Sequence, residues 1–138
     1  MNIDQAVNFL ITKAGGATLK IEKPDDELIL DYQKKLNIFF LSEYVFFLKN
    51  ASFIYYGTLM PAVITYAGNS RLELKTIIDE ARSIGVPKAW LPFCEDNGNY
   101  YCLLEDGTVA FFDHNGRSDE KWQSLADWII EVWIGELT

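Results

Sequence analysis

Apolar residues at helical spacing predict four helices in the chain, and a capping-box-like start at Ser124 predicts a fifth. In the first, positions 3, 6, 7, 10 and 11 are apolar and Gly15-Gly16 follow, which predicts a helix that ends before the two glycines. In the third, Tyr44, Phe47 and Leu48 share one face. The five helices are predicted at 3–13, from 24–27 onwards, after a Ser42 cap, over 72–84 and from about residue 124.

Between the helices, β-branched and aromatic residues predict strands. The stretch 52–66 is rich in such residues and is interrupted by Gly57 and Pro61. Residues 17–22 suit a short strand or an arm. Three further strands are predicted at 88–94, 99–105 and 108–113. Helices followed by strands with tight turns, and then by a helix, are typical of an α+β fold with a mostly antiparallel sheet and four to five helices. No repeat or linker interrupts residues 1–138, so we expect a single domain.

The dipeptide Asp106-Gly107, flanked by alternating runs, is a strong signal for a hairpin with a two-residue type I′ turn. That turn would pair Tyr101 with Phe112 and Asn99 with His114. Both faces of this hairpin are apolar near the turn. Either helices of the same chain cover both faces, or one face carries exposed aromatic residues for a partner.

Two polar turns meet at the far end of the predicted hairpin, one at 95–99 and one at 113–116. Together they would form a polar, acidic edge of the sheet. We call this edge the acidic rim and define it as Glu95, Asp96, Asn99, Asp113 and His114. The rim and the neighbouring Tyr100 and Tyr101 are the predicted partner-binding surface.

The formal net charge of −8 is concentrated in one part of the chain. Residues 1–94 carry ten acidic and ten basic side chains, whereas residues 95–138 carry ten acidic side chains against two basic ones. Such a surface repels nucleic acid and anionic lipid and attracts basic proteins. The alternative explanation is that this charge serves solubility.

Cys94, Cys102 and His114 are the residues that could support catalysis or metal binding. Cys102 lies in a predicted strand among large apolar residues, and no feature lowers the pKa of either thiol. A zinc site needs about four ligands, and one C-x7-C pair with a single histidine is a weak signal. We therefore predict no catalytic residue, no metal and no cofactor. A Cys94–Cys102 disulfide is conceivable from the turn but is not expected in a reducing compartment.

The N-terminus has no basic, then apolar, leader pattern, and no apolar run is long enough for a membrane span. Together with the low cysteine count, these features lead us to expect a cytoplasmic protein.

The order of segments resembles the SUKH superfamily, small α+β proteins named in part after a yeast cell-wall regulator. PDDELILDYQKKLN is similar to the family's acidic helix opening, and LSEYVFFLKNAS to its Leu-Pro-x-x-Tyr-x-x-Phe-Leu segment. YYGTL, LPFCEDNGNYYCLLEDGTVAFFDHNG and SLADWIIEVW follow in the family's order. The resemblance covers residues 22–134. The chain departs from the family's pattern at three places: Ser42 replaces the usual Pro, Asn37 replaces a Gly, and Ala51-Ser52 replaces Gly-Gly.

This resemblance implies a non-enzymatic immunity protein that binds and neutralises a cognate toxin, because most bacterial members have that role. The expected partner is a basic toxin domain, with no nucleic acid and no membrane, and the protein is expected as a monomer or a homodimer. An intracellular scaffold or regulatory protein-binding module is the first alternative. A cysteine-dependent enzyme that uses Cys94 and His114 is the second.

Overall fold

The computed structural model describes residues 1–115 and 118–135, and five helices lie within them. Apolar periodicity and helix-start patterns predicted all five, although the last one changes geometry after Trp128. Its π-helical continuation spans Ile129–Ile134. The α-helices are α1 (Ile3–Ala14), α2 (Asp26–Leu36), α3 (Ser42–Asn50), α4 (Leu74–Ser83) and α5 (Leu125–Trp128).

Side-chain caps fix the starts of three helices. Asn2 and Gln5 form a reciprocal capping box at α1. Asp25 Oδ1 accepts the Leu28 N–H at 2.8 Å, and Ser124 Oγ accepts the Asp127 N–H at 3.1 Å. The predicted Ser42 cap is wrong. Leu41 occupies the N-cap of α3 without a side-chain hydrogen bond, and Ser42 is the first helical residue.

The four strands form an antiparallel sheet in the order β1-β2-β3-β4, as expected for the predicted α+β class. The strands are β1 (Leu91–Asp96), β2 (Asn99–Leu103), β3 (Val109–Phe112) and β4 (Lys121–Trp122). The short β4 was not predicted. It pairs Val109 with Trp122 and extends the sheet beyond β3.

The predicted register of the β2–β3 hairpin is wrong by one residue. Tyr101 faces Phe111, and Tyr100 faces Phe112. The loop contains three residues, 105–107, because Leu104 N–H donates to Thr108 O at 2.9 Å. Among these three loop residues, Gly107 alone has a positive φ, at 89°. A type I′ turn would require a positive φ at Asp106 as well. Tyr101 and Phe112 therefore lie on opposite faces of the sheet.

The stretch 52–66 does not form the predicted strands. Within it, Ile54 bridges to Thr18 and Val63 bridges to Glu73, each as an isolated pair. The segment 17–22 is correspondingly an arm held at one point. Residues 61–64 are all buried, so their β-branched and apolar composition reflects a core position rather than a pleated strand.

Aromatic side chains dominate the core between α3, the sheet and the terminal helix. Phe93 of β1 lies with its ring centroid 4.8 Å from that of Trp128 and 6.1 Å from that of Phe47. Trp133 Nε1 donates to the carbonyl of Tyr56 at 3.1 Å. These contacts fix the terminal helix against the sheet, next to Tyr101.

Candidate protein-binding surface

The first half of the acidic rim is the tight turn between β1 and β2. Asp96 pairs with Asn99, so the loop consists of Asn97 and Gly98. Their φ values of 53° and 85° are those of a type I′ turn. The carboxylate of Glu95 accepts the Gly98 N–H at 2.7 Å. This bond holds one acidic side chain of the rim in a defined position.

The second half of the rim follows β3 and is joined to the first half by Asn99. Its Oδ1 accepts the backbone N–H of His114 at 3.1 Å, and Nδ1 of the His114 ring contacts the same oxygen. Asp113 Oδ1 accepts the Asn115 N–H at 2.8 Å. The structure thus brings the described residues of the two predicted turns together, while Gly116, the last residue of the second turn, lies outside the described residues. Asn99 meets His114 through its side chain rather than through the predicted backbone pairing.

Exposure divides the predicted partner-binding residues into three groups, which are exposed, half-buried and buried. Glu95 and His114 are exposed, while Asp96, Asn99 and Asp113 are half-buried. Tyr100 is 4% exposed and belongs to the core. Its inclusion in the predicted surface is corrected, because Tyr100 pairs with Phe112 instead of the polar Asp113 and its side chain is buried.

Tyr101 is half-buried, and its ring packs against aromatic residues of its own chain. The ring centroids of Phe111 and Trp128 lie 4.8 Å and 5.4 Å away. Burial is the largest cause that raises the pKa of Tyr101, to about 12, and the negative charges of Asp96 and Glu120 act in the same direction. The terminal helix therefore covers much of the face of the sheet that carries Tyr101. Tyr101 itself stays partly exposed, and the carboxylates of Asp96 and Glu120 act on it.

Glu120 is a residue of this surface that the sequence analysis missed. Its carbonyl accepts the Phe111 N–H at 3.4 Å, which brings residue 120 beside β3. Its charge acts on Tyr101 together with that of Asp96. The alternation Glu120-Lys121-Trp122 before the terminal helix was the available signal, but two paired residues are too few for a pattern to identify a strand.

The opposite face of the hairpin is covered as well. Phe112 meets the ring of Trp90 edge-on, with centroids 6.5 Å apart, and a Cβ at Gly85 would lie 3.8 Å from its ring. α4 packs against β1 on the same side. Other parts of the same chain therefore cover much of both faces of the apolar hairpin, and Tyr101, Phe111 and Phe112 remain half-buried.

The two cysteines are buried free thiols. β1–β2 pairing places Cys94 opposite Tyr101 and Cys102 opposite Pro92, not opposite each other. Burial raises the pKa of Cys94 strongly, and it raises that of Cys102 to about 12. His114 is exposed while Cys94 is buried, so the pair lacks the environment of a reactive thiolate.

The part of the chain that the structure describes contains no cluster of three or more His, Cys, Asp or Glu side chains that could hold a metal ion. Nor does it contain a helix with the length and apolar character needed to cross a membrane.

Comparison with known proteins places the chain in a family. The family model SUKH_5, described as SMI1-KNR4 cell-wall, matches residues 3–134. The chain belongs to the SUKH family. A crystal structure of a protein from Pseudomonas syringae pv. tomato has the same fold, with a TM-score of 0.87 and 28% identity over 96% of this chain and 99% of that one. Among curated proteins, no sequence matches.

Proposed function

We propose that this SUKH protein is a non-enzymatic, cytoplasmic immunity protein that binds and neutralises a cognate toxin. The role is that implied by the resemblance of its segments to bacterial members of the family. The observation that carries the proposal is the acidic rim beside Tyr101. There, a partly open aromatic side chain lies next to the carboxylates of Asp96 and Glu120.

This surface suits a basic protein domain. Among the ion pairs of the described residues, none involves a carboxylate of the acidic rim. Complementarity between the carboxylates of the rim and Lys or Arg side chains of a partner raises both the association rate and the specificity. A tyrosine beside them supplies the aromatic anchor that interface centres favour.

The first experiment is a purification of the tagged protein from its native cells at low and at high salt. We expect one stoichiometric partner with a basic toxin domain, retained best at low salt. Several unrelated host proteins would instead favour the scaffold alternative. The toxin identified in this way is then titrated with the purified chain, and its activity should be lost at a one-to-one ratio.

Charge reversal at the acidic rim then tests the surface. Asp96→Lys should weaken binding of the isolated toxin by about tenfold or more, because it replaces an attraction by a repulsion. Glu22→Lys is the matched control, since it makes the same change of net charge at an exposed position of the arm. Equal affinities of the two variants would exclude the rim as the binding surface.

A Cys94→Ala variant addresses the enzyme alternative. We expect full protection against the toxin from this variant, because the thiol is buried and its raised pKa keeps it protonated. Loss of protection in a variant that remains folded would favour the cysteine-dependent enzyme.

A further inference from the structure

A groove of about 650 Å³ opens between the α2–α3 connection, the α4–β1 connection and the β2–β3 loop. Most of the side chains that line it are apolar, and the acidic rim contributes none of them. The apolar lining includes Leu36, Ile38, Phe39, Leu41, Trp90 and Leu104. An open apolar surface of this kind is typical of a site that another molecule covers.

Phe39 is the most exposed large apolar residue of the described chain, with 82% of its surface in solvent. The backbone around it is held in place. Phe40 is buried next to it, and the Phe40 N–H donates to Gln33 Oε1 at 2.8 Å. Phe39 is therefore presented outwards by an anchored loop, which reduces the conformational entropy that this loop would lose when a partner binds.

Arg82 supplies a cationic group within the same groove. Its Nη2 donates to the carbonyl of Lys88 at 3.2 Å, while its Nε is buried and has no hydrogen-bond partner among the described residues. Neither Arg82 nor Lys88 takes part in an ion pair with any residue that the structure describes. Glu105 is the acidic side chain of the lining. Arg82 and Lys88 give this end of the groove two cationic side chains, and a carboxylate is the acceptor that a guanidinium group fits best.

We propose that this groove binds an apolar segment of another protein that carries a carboxylate next to a bulky aliphatic or aromatic side chain. The carboxylate accepts hydrogen bonds from Arg82, and the bulky side chain packs against Phe39 and Trp90. The inference is independent of the proposed function, which uses a different surface and a basic partner. An acidic and apolar segment is complementary to the groove in charge and in polarity, whereas the acidic rim would repel it.

Phage-displayed random dodecapeptides, selected on the purified full-length chain, test this proposal. We expect the enriched peptides to share an acidic residue beside a bulky apolar one. A synthetic peptide of the enriched sequence should shift the amide resonances of Phe39, Arg82 and Trp90 in ¹H–¹⁵N spectra. Replacement of its Asp by Asn, or of its Glu by Gln, should weaken binding about tenfold, since charged hydrogen bonds are the stronger ones.

Variants of the chain assign the binding to the groove. Arg82→Gln should weaken the peptide about tenfold, whereas Arg71→Gln, which removes an exposed arginine outside the groove, should leave affinity unchanged. If Arg82→Gln fails to fold, then Lys88→Gln and Phe39→Ser at exposed positions provide the same test. Asp96→Lys on the acidic rim should have no effect on the peptide.

Several results would overturn the proposal. One is the absence of any enriched peptide, and another is enrichment of basic peptides or of peptides whose shifts map to the acidic rim. Sedimentation velocity tests whether a second copy of the chain occupies the groove. Concentration-dependent dimers that Phe39→Ser abolishes would show that the groove serves self-association instead.

Discussion

The hydroxyl of Tyr32 in α2 donates a hydrogen bond of 2.9 Å to the carboxylate of Glu73, directly before α4. Glu73 is 1% exposed, and its two oxygens accept further bonds from Thr65 and Ser70. The Tyr32 hydroxyl in turn accepts the Lys75 N–H at 2.8 Å. A buried carboxylate with this set of donors joins α2, α4 and the 61–70 segment, and it explains how a charged residue can occupy the core.

Glu73→Gln should lower the free energy of unfolding by about 2–3 kcal/mol. The amide NH2 that replaces one oxygen would face donors rather than acceptors, including backbone N–H groups that cannot rotate away. Tyr32→Phe should cost about 1–2 kcal/mol by removing one donor and one acceptor. Urea unfolding followed by tryptophan fluorescence measures both. Tyr55→Phe, at an exposed tyrosine, is the control and should unfold like the wild type.

Reaction with a thiol reagent tests the burial of Cys94 and Cys102. At about pH 8 the native protein should react on the order of a hundredfold more slowly than the protein in urea, because each unit by which the pKa is raised lowers the thiolate fraction about tenfold. Both thiols should react on unfolding, since both are free. A fast native reaction that Cys94→Ala removes would contradict the buried position of that residue.

Substitutions in the 105–107 loop distinguish the observed three-residue turn from the two-residue turn that the sequence favours. Asp106→Gly should destabilise the protein by about 1 kcal/mol, because the Asp106 carboxylate accepts bonds from both the N–H and the hydroxyl of Thr108. In a type I′ turn, where residue 106 would need a positive φ, the same change would stabilise. The sign of the change in the urea midpoint therefore decides between the two turns.

Gly107 offers a second test of the same loop at one position. Its φ is 89°, and nothing lies within 4 Å of the place where a Cβ would stand. Gly107→Val should cost about 2 kcal/mol through backbone strain alone, and Gly107→Asn less than about 1 kcal/mol, because Asn tolerates the left-handed region. Equal stabilities of the two variants would show that residue 107 does not adopt a positive φ.

The helices were predictable because their signal is local and repeated. Tyr44, Phe47 and Leu48 are all buried, as their spacing within α3 indicates. The register of the sheet was harder to predict, because Asp-Gly fits both a two-residue and a three-residue hairpin loop. The backbone hydrogen bonds of Leu104 distinguish the two loops. The segment 52–66 was misassigned because β-branched residues suit any tightly packed core position.

The candidate site was predictable in its charge but not in its aromatic part. The acidic rim could be predicted from the composition of two turns, because an error of one residue in the strand pairing still leaves the turns side by side. The same error changes which residues of β3 lie beside Tyr100 and Tyr101, because successive side chains of a strand point to opposite faces. The proximity of Glu120 to Tyr101 depended on β4, which is two residues long.

Asp25 should make the protein sensitive to acid. The hydrogen bond from the Leu28 N–H is the main cause that lowers the pKa of this carboxyl below its ordinary value of 3.8. A lowered native pKa contributes stability above the unfolded pKa and loses it as the pH falls through the native value. Asp25→Asn keeps the cap but cannot ionise, so its urea midpoint should depend less on pH below about 4. Asp119→Asn, which removes another exposed carboxylate, serves as the control; an equal change in both variants would refute a special contribution of Asp25.

Glu95→Gln separates the charge of the acidic rim from its geometry. The amide oxygen of Gln can still accept the Gly98 N–H that holds the turn, so only the negative charge is lost. For the toxin partner of the proposed function, the association rate at low salt should fall by roughly two- to fivefold, and the dissociation rate should change little, since rim charges act mainly on encounter. Stopped-flow mixing over a range of salt concentrations measures both rates. The difference from the wild type should disappear at high salt, where exposed charges are screened. A slower association that persists there would indicate that Glu95 acts through a direct contact or through the shape of the turn rather than through its charge.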